Sequence, residues 1–103
     1  MIVSGWNNGQ GNNVSGGGYG IKMSPKDRDN HFHKTWTSVA VELDTGEVVD
    51  ARLSPSFWRN CPELRRKEIG KWMLDQGLAP WPKGKPPRLS LEPIGIRRFR
   101  LSR

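Results

Sequence analysis

The sequence predicts an α+β fold, a small and mostly antiparallel sheet or partial barrel with one main helix and one or two short helices. Three observations carry this. Two stretches alternate apolar and polar residues with the period of half-buried strands: Val39, Val41 and Leu43 in one, Leu89, Leu91, Phe99 and Leu101 in the other. A single long helical signal, ending at Leu78, lies between them. The dipeptide Ser-Pro occurs at 24–25 and at 54–55, each time as a helix start. A chain of 103 residues supports one domain with one modest core.

Residues 1–18 read as a flexible arm ahead of a domain at 19–103. The arm holds Trp6-Asn7-Asn8-Gly9-Gln10-Gly11-Asn12-Asn13 and a run of three glycines at 16–18. Glycine frees the backbone, and asparagine favours local side-chain to backbone bonds over regular structure. The glycine run lacks the following Gly-Lys-Ser/Thr of a phosphate loop. Ile21-Lys22-Met23 predicts a short strand. Ser24-Pro25-Lys26-Asp27 then opens a short helix expected to end near Lys34 or Trp36, with Phe32 and Trp36 on one face.

Thr37 to Leu53 predicts a hairpin turning at Asp44-Thr45-Gly46-Glu47. Ser54-Pro55 opens a single helical turn carrying Phe57 and Trp58. The main helix is expected to start at Asn60-Cys61-Pro62-Glu63 and stop at Gly77, with Ile69, Trp72 and Met73 facing the core. Leu64, Leu74 and Leu78 do not fit that stripe. Prolines at 80, 82, 86 and 87 hold the next stretch extended. Arg88 to Leu101 predicts a closing hairpin that turns at Pro93-Ile94-Gly95-Ile96. With its apolar residues inward, Arg88, Arg98 and Arg100 share the outward side.

Charge is the main functional signal. The net charge is +7, and residues 83–103 supply +6 of it, with seven basic residues against Glu92 alone. Concentrated positive charge attracts polyanions, of which nucleic acid is the commonest in a cell. The candidate nucleic-acid-binding residues are Lys83, Lys85, Arg88, Arg97, Arg98 and Arg100 for phosphates. Trp6, Asn7, Asn8 and Trp81 are the candidates for stacking and base contacts. Trp6 and Trp81 stand among glycine, asparagine and proline. Trp36, Trp58 and Trp72 lie in apolar contexts and read as core. Arg59, Arg65, Arg66, Lys67 and Lys71, offset by Glu63 and Glu68, read as a solvated helix face.

Catalysis and metal binding find less support. His31 and His33 with Asp27 and Asp29 do not make a zinc set, and the one cysteine, Cys61, is far from them in sequence. Glu42, Asp44, Glu47 and Asp50 surround one hairpin without the lysine that a metal-dependent nuclease would use. No catalytic residue, metal or cofactor is therefore expected. One cysteine forms no internal disulfide, and a reducing cytoplasm is the expected compartment. No apolar run reaches the ~18 residues of a membrane span.

The run from Gly18 to Leu101 resembles a family of small, mostly uncharacterised microbial proteins. Tyr19-Gly20-Ile21, Lys26-Asp27-Arg28-Asp29, Ser54 to Arg59, Glu63-Leu64-Arg65, Ile69 to Trp72 and Trp81-Pro82-Lys83-Gly84 carry the resemblance. In layout alone, the order of elements is similar to the pseudobarrel DNA-binding domain of plant auxin-response factors and to effector domains of restriction endonucleases. That resemblance implies duplex DNA as a partner and transfers no residue. The function expected is nucleic-acid binding, DNA before RNA. The alternatives are a protein-interaction module docking on an acidic protein surface and, behind it, a small nuclease.

Overall fold

The computed structural model describes Met1–Arg103 in full. Its strands are β1 (Ile2–Asn7), β2 (Tyr19–Lys22), β3 (Ser38–Glu42), β4 (Val48–Arg52), β5 (Glu63–Arg65), β6 (Arg88–Gly95) and β7 (Arg98–Ser102). Its helices are α1 (Pro25–His31), α2 (Pro55–Arg59) and α3 (Lys67–Asp75). The strands form one sheet in the order β4-β3-β7-β6-β1-β2-β5. All pairs are antiparallel except β3 with β7. The outermost strands, β4 and β5, approach one another. The domain is thus an α+β barrel, nearly closed, with three short helices.

Residues 1–18 are not a flexible arm. β1 lies inside the sheet, pairing Val3 with Leu89 of β6 and Gly5 with Ile21 of β2. Ile-Val-Ser-Gly-Trp alternates like any half-buried strand, and Val3 is 1% exposed. Gly5 supplies room, since a Cβ there would stand 2.8 Å from Pro87 Cδ and 3.0 Å from Trp81 Cη2. The Gly5 amide donates to Pro87 O at 2.8 Å, which ties the proline-rich crossing to the strand.

Residues 8–18 also have fixed partners. Asn7, Asn8 and Asn12 accept amides from Gly9, Gln10 and Val14 at 2.8–2.9 Å, and the Tyr19 hydroxyl donates to Asn13 Oδ1 at 2.6 Å. The loop seats on α3 where Gly16 meets Gly70. A Cβ on Gly70 would collide with the Gly16 carbonyl, which is backbone and cannot rotate away. Gly70→Ala should therefore destabilise the fold by about 1–3 kcal/mol. The helix-propensity gain of roughly 0.5–1 kcal/mol does not offset this. Denaturant titration of the variant measures the sign.

β2 overlaps the predicted strand at Ile21 and Lys22 but starts earlier, at Tyr19, and stops before Met23. In α1, Ser24 Oγ accepts the Asp27 amide at 3.1 Å, as predicted. The helix stops at His31, earlier than expected, because Phe32 leaves the helical backbone (φ −121°) to send its ring into the barrel. There it stacks on Phe99 at 4.6 Å and meets Phe57 at 5.1 Å. A turn, not a helix, then brings Trp36 to 6.3 Å from Phe32. The β3–β4 hairpin and α2 form where predicted.

The start of the main helix is corrected. Asn60 to Arg66 is not helical: Glu63–Arg65 forms β5, and α3 begins only at Lys67. Leu64, the residue that misfits the helical stripe, is fully buried opposite Ile21 of β2. Ile69, Trp72 and Met73 are buried as expected. Trp72 Nε1 donates to Asp44 Oδ1 at 2.7 Å, pinning α3 to the β3–β4 turn. The stop at Gly77 holds, with φ +73° and Leu78 N donating to Met73 O at 2.8 Å.

The closing hairpin differs from expectation at its tip. β6 runs on to Gly95 through a bulge, and Ile96-Arg97 makes the turn, with Arg97 at φ +56°. Proline at 93 is tolerated there because the ladder is already irregular. Leu89, Leu91, Phe99 and Leu101 face inward, and no helix in the chain is long and apolar enough to cross a membrane.

Candidate nucleic-acid interface

The outward side of the barrel carries the charge, but not as one patch. Arg98 and Arg100 both face Glu42 of β3, at 3.6 Å and 3.1 Å. The register sets this: Arg100 lies between Glu42 on β3 and Glu92 on β6. Both side chains remain half exposed (51%), and such surface pairs contribute only ~0–1 kcal/mol. The carboxylates nevertheless cancel much of the field that a phosphate would meet. Arg97 sits at the hairpin tip. Arg88 lies at the opposite end of β6, beside Ser4 of β1. The closing hairpin therefore does not gather Arg88, Arg98 and Arg100.

Lys83 and Lys85 are exposed in the proline-rich loop and make no ion pair. Trp81 is not an exposed stacking platform. Its ring packs edge-on against Tyr19 at 5.6 Å and fills the space beside Gly5. Here the tryptophan pins its loop.

Trp6 is placed differently. It lies half-buried on the outward side of β1, in one rung with Gly20 of β2 and Arg65 of β5. Gly20 has no side chain to separate them, and the Arg65 guanidinium lies 5.2 Å from the Trp6 ring centre. A Cβ at Gly20 would collide with Leu64 O, so the position admits only glycine without a shift of backbone. The pair borders a hollow of about 220 Å³ shared with Asn8, Gly18, Tyr19, Arg66 and Lys67. No carboxylate lines it. Asn8 and Gly18, the two ends of the loop that seats on α3, lie on its rim.

The next rung along β1 runs Arg88, Ser4, Lys22 across β6, β1 and β2, and ends on Glu63 of β5. Arg88 and Lys22 are exposed and unpaired. Glu63 is 8% exposed and stands 4.0 Å from Arg65 Nε. Arg66 pairs with Glu68 at 2.6 Å. Its guanidinium holds the Glu68 carboxyl below the usual carboxylate range, chiefly through that hydrogen bond. Lys22, Arg65, Lys67 and Arg88 thus face outward around Trp6, opposed by Glu63 beside Arg65 and by Glu68, which sits on Arg66 near Lys67.

Of the sequence candidates, Trp6 and Asn8 meet in the hollow, with Arg88 one rung away and Asn7 exposed beside them. Lys22, Arg65 and Lys67 were not among the candidates. Arg65 reads as a helix face because β5 is not anticipated, whereas Lys67 does stand on a helix, as the first residue of α3. The usable signal was the alternation in Glu63-Leu64-Arg65 itself.

Other chemical candidates have local uses. Asp44 accepts from Trp72, Glu42 faces two arginines, and His33 Nδ1 lies 3.2 Å from Thr35 Oγ1. No three His, Cys, Asp or Glu side chains come together as a metal set. Comparison with known proteins finds no matching family model and no significantly similar curated protein or solved structure.

Proposed function

We propose that this protein binds nucleic acid, DNA being the first polyanion to test, and that it does so through the outward face of β1, β2 and β5. One observation carries the reading. An aromatic ring, a guanidinium and further cations converge on a hollow that no carboxylate lines. Phosphates need exposed cations, and bases need a flat apolar face; both are within one rung of each other here. The C-terminal hairpin, its arginines opposed by Glu42, has a secondary role.

Polarisation titrations of labelled DNA at low and high salt test this. Affinity should fall steeply with salt, as counterion release requires. Lys67→Ala and Arg88→Ala should each weaken binding several-fold and lower the salt slope by about 1. Arg98→Ala should have a smaller effect, since it also frees Glu42 to pair fully with Arg100. Affinity that ignores salt, or is lost only with Arg98 and Arg100, would refute the placement.

A further inference from the structure

Resting on the nucleic-acid reading above, we infer that the strand bound at this face is single, with one unpaired base stacked on Trp6 and its flanking phosphates on the rung of Lys22 and Arg88. Trp6 is the first reason; a base stacking there joins or displaces the Arg65 guanidinium, which lies 5.2 Å from the ring centre and can itself stack on a base. An indole ring recessed in a hollow can take the face of a base only if that base is out of a duplex stack. In a double helix the base faces are covered by their neighbours, and only edges are offered in the grooves. Trp6 is itself half-buried, and the hollow it borders is flanked by Asn8 and Gly18, the two ends of the loop at 8–18.

The low floor of the face is the second reason. Ser4 stands between Arg88 and Lys22, and Gly20 between Trp6 and Arg65, so small residues separate the large ones and an extended backbone can lie flat on the sheet.

The chemistry at Asn7 and Asn8 sets the expected selectivity. Their side-chain oxygens already accept the Gly9 and Gln10 amides at 2.8 Å. Each side-chain amide is thereby held in the loop's own turn and is not free to swing onto a base edge, so binding should tolerate many sequences.

The test uses the full chain with short oligothymidylate, a mixed-sequence strand, the duplex of that mixed sequence and the ribonucleotide form of the single strand. Single strands, deoxy or ribo, should bind at least about tenfold more tightly than duplex and quench tryptophan emission. Whichever sugar binds more tightly names the source. Trp6→Ala should weaken single-strand binding by roughly 5- to 100-fold, the range expected for one lost stacking contact. Trp6→Phe keeps an aromatic face, so it should retain most of the affinity while losing most of the quench; it also covers the case in which Trp6→Ala fails to fold. Duplex binding as tight as single-strand binding, or Trp6 variants that bind like the parent, would overturn the inference. If duplex alone binds, weakens with salt and responds to Lys67→Ala, the broader reading stands and this one falls. If no nucleic acid binds, both fall.

Discussion

Deleting residues 1–7 is expected to abolish cooperative folding. β1 has partners on both edges, with rungs from Ile2–Ser90 to Ser4–Arg88 on one side and Ser4–Lys22 to Asn7–Tyr19 on the other. Removal leaves β2 and β6 facing across an empty strand position, roughly two inter-strand spacings of ~4.8 Å each. Their backbone groups lose partners inside the sheet, and each buried unpaired group costs about 1–3 kcal/mol. Val3 leaves the core and the cover over Trp81 is lost. Several such penalties together exceed the ~5–15 kcal/mol that holds a native domain. Circular dichroism should show no sigmoidal melt, and proton resonances should collapse to random-coil positions. A variant that melts like the parent would mean β1 is dispensable.

Phe99→Ala carries the second largest expected effect. The ring is 1% exposed, stacks on Phe32 at 4.6 Å and stands beside Val41 across the parallel ladder. It thus joins β7, β3 and the residue that ends α1. Truncation should cost about 3–5 kcal/mol, the sum of lost transfer energy and an unfilled cavity. Each kcal/mol moves the melting temperature of a domain this size by about 4–8 °C, so the midpoint should fall by roughly 12 °C or more. Ile96→Ala, at a position 85% exposed on the same hairpin, should stay within about 0.5 kcal/mol of the parent. Equal losses at both positions would contradict the assignment of Phe99 to the core.

The contrast between these two positions shows how far the sequence could be read. Phe99 was legible as core because its alternation with Leu101 needs no knowledge of a partner. The β3–β4 hairpin, the Ser24 cap and the Gly77 stop were legible for the same reason, since their causes lie within a few residues. β1 was not, because its fate is decided by β6, more than eighty residues later. Its one glycine and one asparagine describe an unpaired chain equally well until the Pro87 and Trp81 contacts at Gly5 are known.

The candidate site divides in the same way. The net charge pointed to a polyanion, but the opposition of Glu42 to Arg98 and Arg100 depends on a parallel ladder between residues 58 apart from each other in the chain. The Arg65–Trp6 pair depends on reading Glu63–Arg65 as strand. Pro62 and Glu63 imitate a helix start well enough to hide it.

The order of strands has a consequence for how the chain reaches this shape on the ribosome. β1 is the first strand to leave the exit tunnel, yet one of its two neighbours is the last but one to be made. Until Arg88–Gly95 emerges, the first strand keeps one unsatisfied side, and β3 likewise waits for β7. Nascent chains stalled before residue 88 should therefore stay protease-sensitive throughout, and protection should arrive in one late step once both final strands are free.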